Sequence, residues 1–242
     1  MIAIVCTYYN RQKQLERTLE SFKQYDPDEF RVIIVDDGSN NDIKLPVTKF
    51  ETVVLKMYNK TWIQGDSAWN IGLYYALLKY PDIIIIQNAE CYHVGDILSY
   101  AKRVTDKTYI SFGCYSQSKD GFDIFNKGAS FGGESAWYNH PVYRPVGYHF
   151  CAAITTDNLK RMNGFDERFS FGAGYDDDYL LHQIKSLGLN IEITSEPYVV
   201  HQWHESNKSY NNDLYKINEN IYNELIKVKN YKAEHLLTVD YE

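Results

Sequence analysis

The sequence predicts an α/β fold, a mainly parallel central sheet flanked by helices, on three observations. Short apolar runs alternate with longer segments of helical periodicity through the first half of the chain, the pattern of successive βαβ units. The run Ile83-Ile84-Ile85-Ile86 shows no polar alternation, as expected of a strand covered on both faces. Three apolar runs end in polar clusters, at residues 7–11, 36–39 and 87–90. In open α/β sheets such strand ends share one rim, where ligands collect.

Taken in order, residues 2–8 read as a buried strand and 11–25 as a helix with Leu15, Leu19 and Phe22 on one face. Residues 31–37 are a second strand, stopped by the turn signal Gly38-Ser39-Asn40-Asn41. A third strand follows at 53–58, then a helix over 66–80 with Asp66 or Ser67 as its N-cap. Pro81-Asp82 breaks that helix before the Ile83 run. Residues 94–104 read as helical and 109–115 as a further strand. Residues 113–147 hold six glycines and two prolines among many aromatics, which predicts loop or irregular strand able to act as a lid. Residues 176–187 form a helix with Leu180, Leu181, Ile184 and Leu187 toward the core, ended by Gly188. A late strand at 191–201 and one long polar helix over 211–231 complete the chain.

With 242 residues and 44% hydrophobic composition, the chain can bury a substantial core and is not a disordered one. One domain over 1–210 with a C-terminal helix in 211–242 fits that length. The net charge of -7 argues against a nucleic-acid partner. The 22 tyrosines offer flat apolar faces with hydroxyl tips, suited to sugars and bases. No apolar run reaches the ~20 residues that span a bilayer, and the first residues lack the basic region of a leader. Cys6, Cys91, Cys114 and Cys151 show no CxxC spacing, so neither a zinc site nor a redox pair is indicated. Cys6 and Cys114 sit in apolar runs and read as buried thiols of a reducing compartment.

Chemistry is concentrated at the strand ends. Thr7-Tyr8-Tyr9-Asn10-Arg11 follows the first strand, and Val35-Asp36-Asp37-Gly38-Ser39 closes the second. A carboxylate there can accept a uracil imide N–H or a ribose hydroxyl, and Arg11 at a helix start can meet a phosphate. The plainer alternative is that Asp36 and Asp37 only begin a turn.

These motifs resemble the opening of family-two glycosyltransferases with the GT-A fold, which begin with a strand, a T-x-x-N-R turn and V-D-D-G-S. Ser67-Ala68-Trp69-Asn70-Ile71-Gly72-Leu73 resembles the A-R-N-x-G segment of that family. Trp69 stands at the usual arginine, which leaves the diphosphate to Arg11 or a later residue. The resemblance implies nucleotide-sugar contacts from Thr7, Tyr9, Asn10, Arg11, Asp36, Asp37, Asn70, Asn88 and Ala89. It divides the domain into a nucleotide-sugar half, 1–112, and an acceptor and catalytic half, 113–210. Gln87-Asn88-Ala89-Glu90 occupies the place of the Asp-x-Asp motif. Asn88 can hydrogen-bond sugar or ribose, and Glu90 keeps one hard oxygen for Mg2+ or Mn2+. His93 could join that ligand set or belong to the next turn. In His201-Gln202-Trp203-His204, His201 matches a late metal ligand, and an imidazole favours Mn2+ somewhat over Mg2+. The alternative leaves His201 and His204 as polar strand-end residues.

Gly164-Phe165-Asp166-Glu167-Arg168-Phe169, followed by Gly172-Ala173-Gly174-Tyr175-Asp176-Asp177-Asp178, resembles the C-terminal segment of galactosyltransferase-like GT-A enzymes. That likeness implies Asp176 as base and Asp177 as acceptor ligand, with Tyr175 at a family glutamate on the acceptor side. The register could also be read one residue later. Neighbouring helical side chains project ~100° apart, so the three carboxylates cannot share one job; helix capping alone is the competing explanation. Trp137-Tyr138-Asn139-His140-Pro141, with Tyr143, Arg144, Tyr148 and His149 beyond, offers aromatic faces to a sugar acceptor or simply packs a loop.

The resemblance implies an inverting, metal-dependent hexosyl- or N-acetylhexosaminyltransferase using a UDP-sugar and a glycan acceptor. It implies a cytoplasmic place, peripheral to a membrane where glycans are assembled, and the C-terminal helix offers a face for homo-oligomer formation. A catalytically inactive nucleotide- or glycan-binding module is the second reading, because Asn88 and Trp69 replace working residues. A nucleotidyltransferase or a Rossmann dehydrogenase is disfavoured by the lack of a glycine-rich phosphate loop near the N-terminus.

Overall fold

The computed structural model describes residues 1–119, 130–131, 134–205 and 211–235. Part of the expected lid at 113–147 lies outside the described residues. Strands β1 (Ile2–Tyr8), β2 (Phe30–Asp36), β3 (Glu51–Lys56) and β4 (Ile83–Asn88) form one half of the sheet, with helices α1 (Gln12–Phe22) and α2 (Asp66–Leu77) between them. The chain continues through β5 (Cys91–Val94), α3 (Ile97–Ala101) and β6 (Thr108–Ser116). A small ribbon of β7 (Ser130–Phe131) and β8 (Glu134–Ser135) precedes β9 (Trp137–Asn139) and β10 (Cys151–Thr155). Then come α4 (Thr156–Met162), a 3-10 turn (Glu167–Phe171), α5 (Asp176–Leu187), β11 (Asn190–His201) and α6 (Asn212–Leu225).

The main sheet runs β3-β2-β1-β4-β10-β6-β11-β5, with β9 on β6. Most residue pairing is parallel: β1 with β2 and β4, β2 with β3, and β6 with β11. β10 enters antiparallel between β4 and β6. Thr7 pairs with both Val35 and Asn88, so the carboxyl ends of three parallel strands finish level.

Both sheet faces are covered, which is why the β1, β2 and β4 runs are apolar without alternation. Leu15, Leu19 and Phe22 of α1 pack one face with Ile4, Val32 and Ile34. Ala68, Leu73 and Ala76 of α2 pack the other with Val5, Val35 and Ile86. Gly72 permits that contact: a Cβ there would lie 2.6 Å from Val5 Cγ1 and 2.7 Å from Val35 Cγ2.

Several local expectations are corrected. The helix expected over 94–104 is shorter, because Cys91–Val94 pairs with β11 as a strand and Gly95 turns the chain at φ +80. Asp96 then caps α3 by accepting the Ser99 N–H at 3.0 Å. The N-cap of α2 is Gly65, while Asp66 is buried in the first turn beside Ser170. β10 and α4 had no separate place in the sequence reading. The last helix ends at Leu225 rather than Tyr231, and the chain beyond it docks: Ala233 N–H donates to Met162 C=O and Glu167 N–H to Glu234 C=O. Arg168 bonds both Asp166 and Glu234. All four cysteines are buried and free, and among the described residues no helix is long and apolar enough to cross a membrane.

Gly72→Ala should destabilise the protein by about 1–3 kcal/mol, because β-branched Val5 and Val35 have no room to yield. Urea unfolding monitored by circular dichroism measures this as a lower midpoint with unchanged slope.

Candidate functional site

A cavity of about 480 Å³ opens at the level strand ends. Its first wall holds Thr7, Tyr9, Arg11, Asp37, Lys60 and Trp62. Trp62 Nε1 donates to Asp37 Oδ1 at 2.7 Å, and Lys60 Nζ pairs with the other oxygen. Burial raises the Asp37 pKa more than Lys60 and Trp62 lower it. Lys60 also lies over the Tyr9 ring, 4.9 Å from its centre.

Other residues of the expected nucleotide site build the frame. Buried Asp36 accepts the Ser39 N–H at 2.8 Å, a turn bond. Asn10 joins the two strand-end turns: its N–H donates to Ser39 Oγ and its side-chain oxygen accepts the Asn40 N–H. Ala89 is fully buried. Asn70 pins α2 to the 164–167 segment, donating to Phe165 C=O and Glu167 and accepting the Phe165 N–H. Gly164 beside it takes φ +78, and a Cβ there would meet Asn70 Oδ1 at 2.4 Å. Asn88 does line the cavity.

The second wall carries Glu90. Its Oε1 lies 3.6 Å from His201 Nε2 and 3.3 Å from His204 Nε2. The three donor atoms lie within 4.8 Å of one another, close to the span of ligands around a cation bound at roughly 2.0–2.3 Å. One carboxylate with two imidazoles is a donor set for a divalent cation. His204 therefore joins the expected pair Glu90 and His201; its signal in the sequence is the His-x-x-His spacing after the last strand. Burial works against the Glu90 carboxylate, yet the two histidines hold it well below the usual range. His93 is excluded from this group: it is buried, with Nδ1 at Tyr25 Oη (2.9 Å) and Nε2 at Gln87 Oε1 (2.6 Å). Burial pushes its pKa down to about 3.

The third wall is the start of α5 with His149 and Trp69. Tyr175 precedes the helix at φ 67 without capping it. The three carboxylates then part company. Asp178 accepts from Tyr148 Oη at 2.7 Å, and Asp177 Oδ1 lies 2.5 Å from His149 Nδ1. Asp176 and Asp177 both line the cavity, and burial, followed by the Asp177 charge, pushes the Asp176 pKa up to about 6. His149 is itself raised: burial opposes its charge, and Asp177 with Asp176 outweighs burial. Asp66 lies behind, fully buried and raised by burial and then by Asp176.

The three expected acceptor aromatics do not form one platform. Trp137 is a core residue packed with Tyr115, Tyr198 and Val200. Tyr138 stacks on Phe150 at 4.7 Å with its edge to His201. Tyr175 turns toward α6, bonding Glu219 and packing on Tyr222. The rings that line the cavity are those of Tyr8, Tyr9, Trp62, Trp69, His149 and Phe150. Trp62 carried no motif, and its place depends on the loop after β3.

The sequence model of glycosyl transferase family 2 matches residues 3–162. A comparison with curated proteins finds no match. Among solved structures, S. aureus TarS 1–349 with UDP-GlcNAc is similar with a TM-score of 0.65 and 16% identity, over 94% of this chain and 66% of that one. The Pyrobaculum calidifontis mannosyltransferase PcManGT with GDP-Man and Mn2+ gives a TM-score of 0.53 and 15% identity, over 86% and 58%. The catalytic domain of Drosophila β1,4-galactosyltransferase 7 with xylobiose gives 0.54 and 15%, over 96% and 81%. The chain spans 60% of TarS 1–349 solved with UDP and 36% of the longer TarS chain. The shared architecture is the GT-A fold.

Glu90→Ala and His204→Ala should each weaken Mn2+ binding by ~10–100-fold or more. Electron paramagnetic resonance of free Mn2+ during titration reads this directly, and equal affinity in the variants would remove the cluster as the ion's site.

Proposed function

The chain belongs to glycosyl transferase family 2, and from that premise we propose that it moves a sugar from a UDP-sugar to a hydroxyl of a glycan acceptor, with inversion at the anomeric carbon. The observation that carries this reading is the convergence of three different groups on one cavity: the Asp37–Lys60 pair, Glu90 with its two histidines, and Asp176. Mn2+ in the PcManGT complex and UDP-GlcNAc in the TarS complex support the choice of ion and donor class.

Asp37 and Lys60 offer an acceptor beside a donor, the complement of a uracil imide edge. Arg11, half-buried in the same wall, meets the diphosphate in place of the arginine that Trp69 replaces. Glu90, His201 and His204 would hold Mn2+ or Mg2+, which would supply positive charge against the leaving diphosphate. Asp176 removes the proton of the acceptor hydroxyl as that oxygen attacks the anomeric carbon. The bond from that carbon to the diphosphate breaks, and the electron pair leaves with UDP. A single displacement inverts the anomeric centre. A carboxyl with a pKa near 6 is ionised at neutral pH and basic enough to take that proton.

Release of UDP from a panel of UDP-sugars, with Mn2+ and with chelator, tests the reading. Metal-dependent turnover supports it, and no turnover with any donor and glycan acceptor would favour a binding module. Asp176→Asn should lower transfer ~10²–10⁴-fold with UDP-sugar affinity preserved. Because Asp176 acts deprotonated, kcat/KM at saturating metal should be flat above neutrality and fall about tenfold per unit below pH ~6. A rate that rises toward acid would contradict its role as base.

A further inference from the structure

We propose that His149 is a positioning residue of the transfer reaction, holding Asp177 and so placing Asp176 as the base. This role rests on the transferase reading above. It is carried by a clamp in which two neighbouring residues of one segment each hold a neighbouring carboxylate of α5. Tyr148 Oη donates to Asp178 at 2.7 Å, and His149 Nδ1 lies 2.5 Å from Asp177 Oδ1. Successive helix residues project ~100° apart, so contacts to two of them fix the first turn against rotation as well as translation. Asp176, the preceding residue, is thereby aimed into the cavity that His149 also lines.

The His149 ring is held on two sides. The Trp69 ring meets it nearly perpendicular at 5.2 Å and Phe165 at 4.8 Å, and Trp69 stacks on Phe165 at 5.5 Å. Trp69 thus anchors the clamp at the position where an arginine is usual in the family. A cation at His149 also has an electrostatic task. Asp176 and Asp177 are adjacent like charges, and Asp66 of α2 adds a third carboxyl behind them. The other groups facing the pair are Asp178 of α5, Tyr148, and the buried Tyr109 hydroxyl of β6. Among these, His149 is the basic group, and it opposes the upward pull of Asp177 on Asp176.

The test is His149→Gln in the full chain, assayed at saturating metal. We expect kcat to fall ~10–100-fold through misplacement of the helix start, with the donor KM unchanged. The acid limb of kcat/KM should move up by about one pH unit as the Asp177 charge loses its partner. In an Asp177→Asn background the same substitution should lower kcat much less than it does in the wild type, since His149 positions the helix through Asp177. Nitrogen NMR of the imidazoles provides a second measurement that needs no His149 variant: Asp177→Asn should lower the pKa of one of the seven histidines. An unmoved limb in His149→Gln, additive effects in the double variant, or seven unchanged histidines would each overturn the role while wild-type transfer stands. Wild-type protein without metal-dependent transfer would instead overturn the transferase reading, and this role with it.

Discussion

The in-register parallel pairing of β1 with β2 on one side and β4 on the other is the constraint on which the site depends. Thr7 faces Val35 and Asn88 across the two ladders. Hydrogen-bonded register leaves no freedom to slide one strand end past another without turning its side chains to the wrong face. The turns after β1, β2 and β4 therefore emerge at one level, carrying Arg11, Asp37 and Glu90 to the same cavity. Burial on both faces enforces that register. Helix α2 can lie against Val5 and Val35 only because Gly72 has no side chain.

A second constraint is electrostatic. The cavity gathers Asp37, Glu90, Asp176 and Asp177 into partly desolvated surroundings, where unpaired charges are costly. Each carboxylate is met differently. Asp37 has Lys60 and Trp62, Glu90 has two histidines, and Asp177 has His149. Among the described residues Asp176 has no such ion-pair partner, and burial, followed by the Asp177 charge, raises its pKa. The same burial that disfavours its charge makes it a stronger base.

The acidic segment at 164–168 has a different job from the run at 176–178. Asp166 and Arg168 pair with each other, and Arg168 reaches Glu234 near the end of the described chain. Glu167 and Phe165 are tied to Asn70 of α2. Asn218 of α6, fully buried, donates to Phe169 and Gly174 carbonyls just ahead of α5. These bonds set the path that delivers Asp176 to the cavity; the motif residues themselves are scaffold.

Much of this was legible in local sequence. Apolar runs and their stops located β1, β2, β4 and β6, and Gly188 marked the end of α5, because local sterics and burial period act over a few residues. The polar strand ends with Arg11, Asp37 and Glu90 followed from the same reading, and the acidic run from its place at the start of a helical pattern. Other assignments required distant partners. Trp137 and Tyr138 looked like a sugar platform by composition, yet Trp137 fills a core formed with Tyr115, Tyr198 and Val200. His204 and His149 acquire meaning only beside Glu90 and Asp177, which stand 114 and 28 positions away in the chain. The sequence by itself determined which residue types stand at the strand ends and at the start of α5. Only the tertiary structure decided which carboxylate is paired and which is left free, because pairing and burial are properties of contacts between segments that no local pattern encodes.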